Sequence, residues 1–279
     1  MVSRLEALPS LPRTYVELMR ELRREEPSLR VVGELVNQDV GMSANILKLV
    51  NSAFFGLRTH VSSPIHAVTL LGTEIIKALI ISLHLFSRFD MERFPGFSLE
   101  LLWKHSLTTG LFAKTIAQIE GQPSQAIDDC YISGLLHDVG KLLLAANFED
   151  RYHEVLTRSR AEQRTVYDME KEVFSVSHAE IGGYLLGLWG LPEGVVSAIF
   201  HHHTPPATPP CGFSTLLAVH AANSLEHELV VFNAEYALHP MDTTFLDAAG
   251  MERRIEAWRL ACADKLTEEF HLERENSLR

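Results

Sequence analysis

The chain has 279 residues, 46% hydrophobic and 22% charged, which suits a globular protein of one large or two small domains. Its net charge of -11 argues against a general nucleic-acid binder, because phosphate contacts need clustered Lys and Arg. Three scattered cysteines, Cys130, Cys211 and Cys262, support neither a thiolate zinc site nor a disulfide framework, and they fit a reducing cytoplasm.

In chain order, MVSRLEALPSLP lacks the apolar core of a signal peptide, and Leu8-Pro9-Ser10-Leu11-Pro12 predicts an extended start. Tyr15-Val16, Met19 and Leu22 then follow helical spacing, with Arg20–Glu26 as a solvated face. A break at Glu26-Pro27-Ser28 precedes a second helix near Val31–Asn37. A third opens at Asp39 with Met42, Ile46, Leu49 and Val50 on one face, and ends in the Asn51–Leu57 element. Ser63-Pro64 caps a helix over Ile65–Leu71, and Gly72-Thr73 starts a long apolar helix through Phe86. The run Ile75–Phe86 is short for a membrane span and carries Lys77 and His84, so it reads as a buried helix. These five helices make a first subdomain, residues 1–95.

Phe94-Pro95-Gly96 marks a seam, and residues 96–228 form a second helical part. It holds a helix from Leu101 past Ile116, a loop at Gly121–Ser124, a central helix Asp128–Ala146 and a charged stretch Asp150–Glu172. Helices over His178–Leu188, Glu193–His202 and Ser214–Leu229 complete it, and the extension 229–279 holds one helix near Met251–Phe270. Strand alternation is lacking, and the expectation is an all-α, two-part helical bundle.

The chemistry centres on Tyr131–Leu144, YISGLLHDVGKLLL. An adjacent His137-Asp138 pair inside an apolar run is expensive to bury unless something pairs with it or binds it. A metal ion is the commonest remedy, since imidazole and carboxylate both ligate iron, manganese and zinc. Among fourteen histidines, His105, His178, His202 and His203 fall on other predicted helices, as in a site built between helices of a bundle. Adjacent helical residues diverge by about 100°. His137 and Asp138 can therefore approach one ion from different sides, or Asp138 can bridge two. Each histidine also has a plainer reading as a core residue bonded to a carbonyl, and Lys141 could orient a phosphate or snorkel beside its helix.

The pattern His105 … His137-Asp138-Val139-Gly140-Lys141 … His178 … His202-His203 resembles the HD superfamily of metal-dependent phosphohydrolases. Leu8–Pro12, Asn51–Gly56, Ala67–Gly72, Trp103–Ser106, Ser177–Gly182 and Trp189–Pro192 are similar to signatures of its HD-related output domain (HDOD) branch, from about Leu8 to about Asn223. The Gly-Tyr-Pro element of the related HD-GYP phosphodiesterases is missing, with Thr204-Pro205-Pro206 in its place. Asn223 stands where the closing aspartate is expected. The resemblance implies a cytoplasmic bacterial signalling module that acts through receiver or sensory proteins, with no nucleic-acid or membrane partner. It implies one or two Fe, Mn or Zn ions on His105, His137, Asp138, His178, His202 and His203. The alternative it leaves open is a metal-dependent phosphohydrolase of a nucleotide or cyclic dinucleotide, with Asp138 and Lys141 catalytic. Glu180 is expected at the surface. His60, His66, His84, His153, His227, His239 and His271 lack a partner pattern and are expected to play ordinary roles.

Overall fold

The computed structural model describes residues 13–22, 24, 26–52, 60–87, 98–209, 211–230 and 237–277. The Leu8–Pro12 start, most of the Asn51–Leu57 element and the Phe94–Gly96 seam lie outside them. The regular structure is helical, with no strand among the described residues. These helices fall into two compact units, and α14 (Ile255–Ser277) is divided between them after Cys262.

The first unit contains α1 (Arg13–Leu22), α2 (Leu29–Gln38), α3 (Val40–Val50) and α4 (Pro64–Ser87). Along α1 the buried apolar residues are Tyr15, Leu18, Met19 and Leu22, at i, i+3, i+4 and i+7. Val16, which the sequence reading placed inward, is exposed because that stripe passes through Leu18. Asp39 ends α2 and caps α3, its carboxylate accepting the Met42 N–H at 2.9 Å. Asn51 closes α3: its amide donates to the carbonyls of Leu47 (2.8 Å) and Val61 (2.7 Å), and its oxygen accepts the Val61 N–H (2.7 Å). The two helices expected around Gly72 form one element, α4, broken where Gly72 takes φ 77°, ψ 171°, a conformation open to glycine alone. Pro64–Phe86 is longer than the expected apolar run, and by length and composition it could cross a membrane. The Gly72 break and the complete burial of Ile76, Leu79 and Ile80 identify it as a core helix.

The second unit runs from α5 (Leu99–Ile119) through α6 (Ser124–Leu136), α7 (Val139–Asn147), α8 (Glu149–Glu162), α9 (Val166–Phe174), α10 (His178–Leu188), α11 (Glu193–His201), α12 (Thr215–Leu229) and α13 (Thr243–Ala248) to the start of α14. Helix α5 packs on α6 and α12, and α7 packs on α10. The charged stretch Asp150–Glu172 is two helices. Tyr152, Val155, Leu156 and Ser159 make a buried stripe at helical spacing that the surrounding charges mask in the sequence. The tail likewise gains α13 beyond its one expected helix, opened by the Asp242 side chain accepting the Phe245 N–H at 3.0 Å.

The expected central helix Asp128–Ala146 is interrupted at the residues that matter most. Helix α6 ends at Leu136, α7 begins at Val139, and Asp138 sits at φ -101°, ψ 3°. Two residues on, a Cβ on Gly140 would lie 1.9 Å from the His178 carbonyl oxygen. The first turn of α7 therefore presses backbone to backbone on the first residue of α10. Only glycine permits this approach, and it sets Asp138 beside His178.

Candidate metal centre

Four chain segments supply the cluster. His105 lies on α5, His137 and Asp138 in the α6–α7 break, His178 at the start of α10, and His202 and His203 just past α11. All six are buried, while His201 is half-exposed, as consecutive side chains fanning from a helix end require. The structure thus brings together every residue that the sequence reading offered as a ligand.

The Asp138 carboxylate is the meeting point. Its Oδ2 lies 3.4 Å from His105 Nε2 and 3.5 Å from His137 Nε2, and those two nitrogens are 3.0 Å apart. Its Oδ1 lies 3.1 Å from His178 Nε2 and 3.9 Å from His202 Nε2, and His203 Nε2 is 3.1 Å from His178 Nε2. Lys141 Nζ donates to Oδ2 at 2.6 Å.

Four of the rings are anchored from outside by Nδ1. His137 donates to the Gly134 carbonyl (2.7 Å) and His202 to the Ile199 carbonyl (2.7 Å). His105 donates to Glu226 Oε2 (2.7 Å) and His178 to Glu170 Oε2 (2.6 Å). An imidazole whose Nδ1 carries the proton turns a lone pair inward on Nε2, the arrangement by which proteins orient histidine toward a metal. Such lone pairs converge on a carboxylate only where a cation or proton lies among them. Consistently, Asp138 Oδ1, His202 Nε2 and His203 Nδ1 are buried without a hydrogen-bond partner. The donor set fits a metal ion.

The electrostatics agree. Burial pushes His137 down to about 3 and holds His202 and His203 well below the usual imidazole range, so all three are neutral. Burial opposes charge at His105, but the Glu226 and Asp138 carboxylates raise it to about 9. His178 is raised likewise by Glu170 against its burial. Burial alone would raise the Asp138 carboxyl, yet the positive groups beside it, Lys141 and His178 among them, hold it well below the usual carboxylate range. The cavity among these groups favours positive charge.

Glu170 and Glu226, both fully buried, are functional residues that the sequence reading passed over. Glu170 falls in the charged stretch Asp150–Glu172, yet it lies four residues before buried Phe174 on the inner face of α9. Glu226 completes an i, i+4, i+7 stripe with Val219 and Asn223 on α12. That periodicity was the available signal. His227 stacks on His105 (4.8 Å between centroids) and His239 lies against His203 (4.6 Å), so neither is the unrelated histidine expected. Glu180 is not a free surface acid: it forms the capping box of α10 with Ser177 and bonds Lys171 at 3.0 Å. Asn223, which stands where the closing aspartate is expected, is buried with its Oδ1 unpartnered. His220 is spent on the backbone, its Nδ1 donating to the His202 carbonyl (2.8 Å) and its Nε2 accepting the Asp242 N–H (2.8 Å).

Fold and site together define an all-helical protein with a histidine–aspartate cluster buried between helices. The HDOD domain model matches residues 8–205, and the chain belongs to the HDOD family. An uncharacterized protein of Treponema pallidum (strain Nichols) is 32% identical over 213 residues, 75% of this chain, which spans 40% of that relative's length. Among solved structures, an HDOD domain protein of unknown function from Geobacter sulfurreducens aligns with TM-score 0.67 at 24% identity, covering 95% of each chain. A Shewanella amazonensis SB2B protein, provisionally described as a phosphohydrolase, aligns with TM-score 0.74 at 20% identity over 98% of this chain and 96% of its own. At these identities the two structures speak for the fold.

Proposed function

We propose that the protein is a bacterial, cytoplasmic signalling module that keeps an HD-type metal site and acts through protein partners such as receiver or sensory domains. Imidazoles with a single shared carboxylate suit iron, manganese or zinc. The observation that carries this reading is the depth of the cluster. His137 and His178 are 0% exposed, and Asp138 and His202 are 1% exposed. A site so enclosed holds an ion more readily than it admits a phosphoester. The neutral Asn223 and the missing Gly-Tyr-Pro element point the same way.

The second reading is a metal-dependent phosphohydrolase of a nucleotide or cyclic dinucleotide, favoured by the placement of Asp138 between two sets of imidazoles. A metal bound there would supply Lewis-acid activation of water. The chain would contribute the ligand histidines, the shared Asp138 carboxylate and the Lys141 ammonium beside it.

Metal analysis by inductively coupled plasma mass spectrometry on freshly purified protein and on Asp138→Ala tests both, followed by assays on cyclic dinucleotides. Bound metal that is lost in the variant, with no turnover, is the expected result. Turnover that disappears in Asp138→Ala would establish the phosphohydrolase instead. Metal below roughly a tenth of an equivalent, unchanged by added ion, would make the cluster a structural remnant.

A further inference from the structure

The two oxygens of Asp138 have different surroundings. Oδ2 receives the Lys141 ammonium at 2.6 Å and faces two imidazoles, His105 and His137. Oδ1 has no hydrogen-bond partner, and neither does His202 Nε2, which faces it. Orphaned acceptors thus stand on the Oδ1 side, with Glu226 Oε1 and Asn223 Oδ1 of α12 as further ones behind His105, while Oδ2 itself already holds a fixed cation.

Ligand supply divides the same way. Asp138, His178, His202 and His203 each offer a ligand atom within 4.8 Å of the others, a four-donor set. Donors about 2.1 Å from a common ion stand about 3 to 4 Å apart. The separations of 3.1, 3.1 and 3.9 Å among these atoms fall in that range, as do the 3.0, 3.4 and 3.5 Å among His105, His137 and Oδ2, so the number of free donors and not their spacing divides the two sides. Facing Oδ2, three donors are gathered, His105, His137 and the already engaged Oδ2, and His105 also belongs to a separate group with Glu226 and His227. The carboxylate of Glu226 serves His105 from its outer nitrogen, and α12 offers the neutral Asn223 one turn earlier. A second divalent ion there would sit against an ammonium with the shared Asp138 carboxylate as its one anionic ligand, Glu226 standing one imidazole away, a costly position for a buried charge.

We infer, resting on the metal reading above, that the chain holds a single metal ion on the Oδ1 side, through Asp138, His178, His202 and His203, and that the Lys141 ammonium takes the place of a second ion on the Oδ2 side. Lys141 is then an internal counter-ion that orients the carboxylate. The His105–His137 half shapes the cavity without binding an ion.

The test is metal stoichiometry. Protein stripped with a chelator is loaded with excess Mn(II) or Zn(II), desalted, and measured by elemental analysis and by native mass spectrometry. The wild type is expected to hold one equivalent. His178→Ala and His202→Ala should lose at least tenfold of it, His105→Gln (which keeps a donor for Glu226) should retain it, and Lys141→Gln should rise from one equivalent to two. Two equivalents in the wild type would overturn the inference without touching the metal reading, and that measurement needs no variant to fold. Equal losses in His105→Gln and His178→Ala, with helicity intact by circular dichroism, would overturn it as well. Lys141→Gln remaining at one would remove the counter-ion role. No metal in the wild type would instead sink the reading on which the inference rests.

Discussion

Each imidazole held through Nδ1 is fixed by a partner that carries out no chemistry itself, and the two carboxylate partners are the most exacting. Glu170 Oε2 accepts from both the backbone N–H (2.7 Å) and the Nδ1 (2.6 Å) of His178, while its Oε1 accepts the Tyr152 hydroxyl (3.1 Å). All of its capacity is thus directed at holding one ring. Glu170→Gln keeps the shape but removes the charge and turns an amide NH2 toward one of these donors. We expect metal affinity to fall by roughly 10- to 100-fold, read by chelator competition, with little change in helicity. This residue was masked in the sequence because a glutamate among charged neighbours reads as solvated; its spacing to Phe174 marks the inner face of α9, and only the partner helix shows which ring it meets.

At the scale of elements, two contacts set the geometry. The crossing of α7 on α10 leaves no room for a side chain at Gly140. Gly140→Ala would force the helices apart at the point where Asp138 meets His178. We expect a loss of about 3 kcal/mol, as for severe overpacking, measured as the shift in a chemical denaturation midpoint at constant slope. The second contact is the tether made by His220, which ties α12 to the turn after His202 and to the cap of α13. That tether requires the neutral ring, because Nε2 must accept the Asp242 N–H, and burial lowers the His220 pKa in the fold. The unfolded chain, titrating near 6.5, therefore takes up this proton first as pH falls. The contribution is full above about pH 6.5 and is lost below it, by at most about 1.4 kcal/mol per pH unit. Denaturation at pH 7.5 and 5.5 should show a smaller acid loss in His220→Gln than in the wild type.

For the whole molecule, the cluster gathers residues from α5, the α6–α7 break, α10 and the end of α11, with α9 and α12 behind them. An ion that ties so many elements together binds the folded state and not the unfolded one. At a free metal concentration a hundredfold above the dissociation constant it stabilises by about 2.7 kcal/mol. For a unit of this size that corresponds to a rise of roughly 5 to 10 °C in melting temperature. Chelation should reverse the rise, and Asp138→Ala should show neither effect in a calorimetric scan.

Local order decided much of this protein before any tertiary contact. The stripe Met42, Ile46, Leu49, Val50, the caps at Ser28, Asp39 and Ser214, and the limits of His178–Leu188 follow from spacing and capping chemistry, which act within a few residues. The six ligand-type residues were legible too, His137 and Asp138 because an ionisable pair stood out in an apolar run and the other four because they match the HD pattern the chain resembles. What only the tertiary structure decided depends on groups distant in the chain. The break at His137–Asp138 accompanies the Gly140–His178 approach across 38 positions of sequence, since 178 minus 140 is 38. The roles of Glu170 and Glu226 depend on which ring each one meets. The unequal surroundings of the two Asp138 oxygens arise from Lys141 on one side and unpartnered acceptors on the other. Helical periodicity records which face is buried, whereas the group that meets that face is set by packing, and at this centre the partner defines the chemistry.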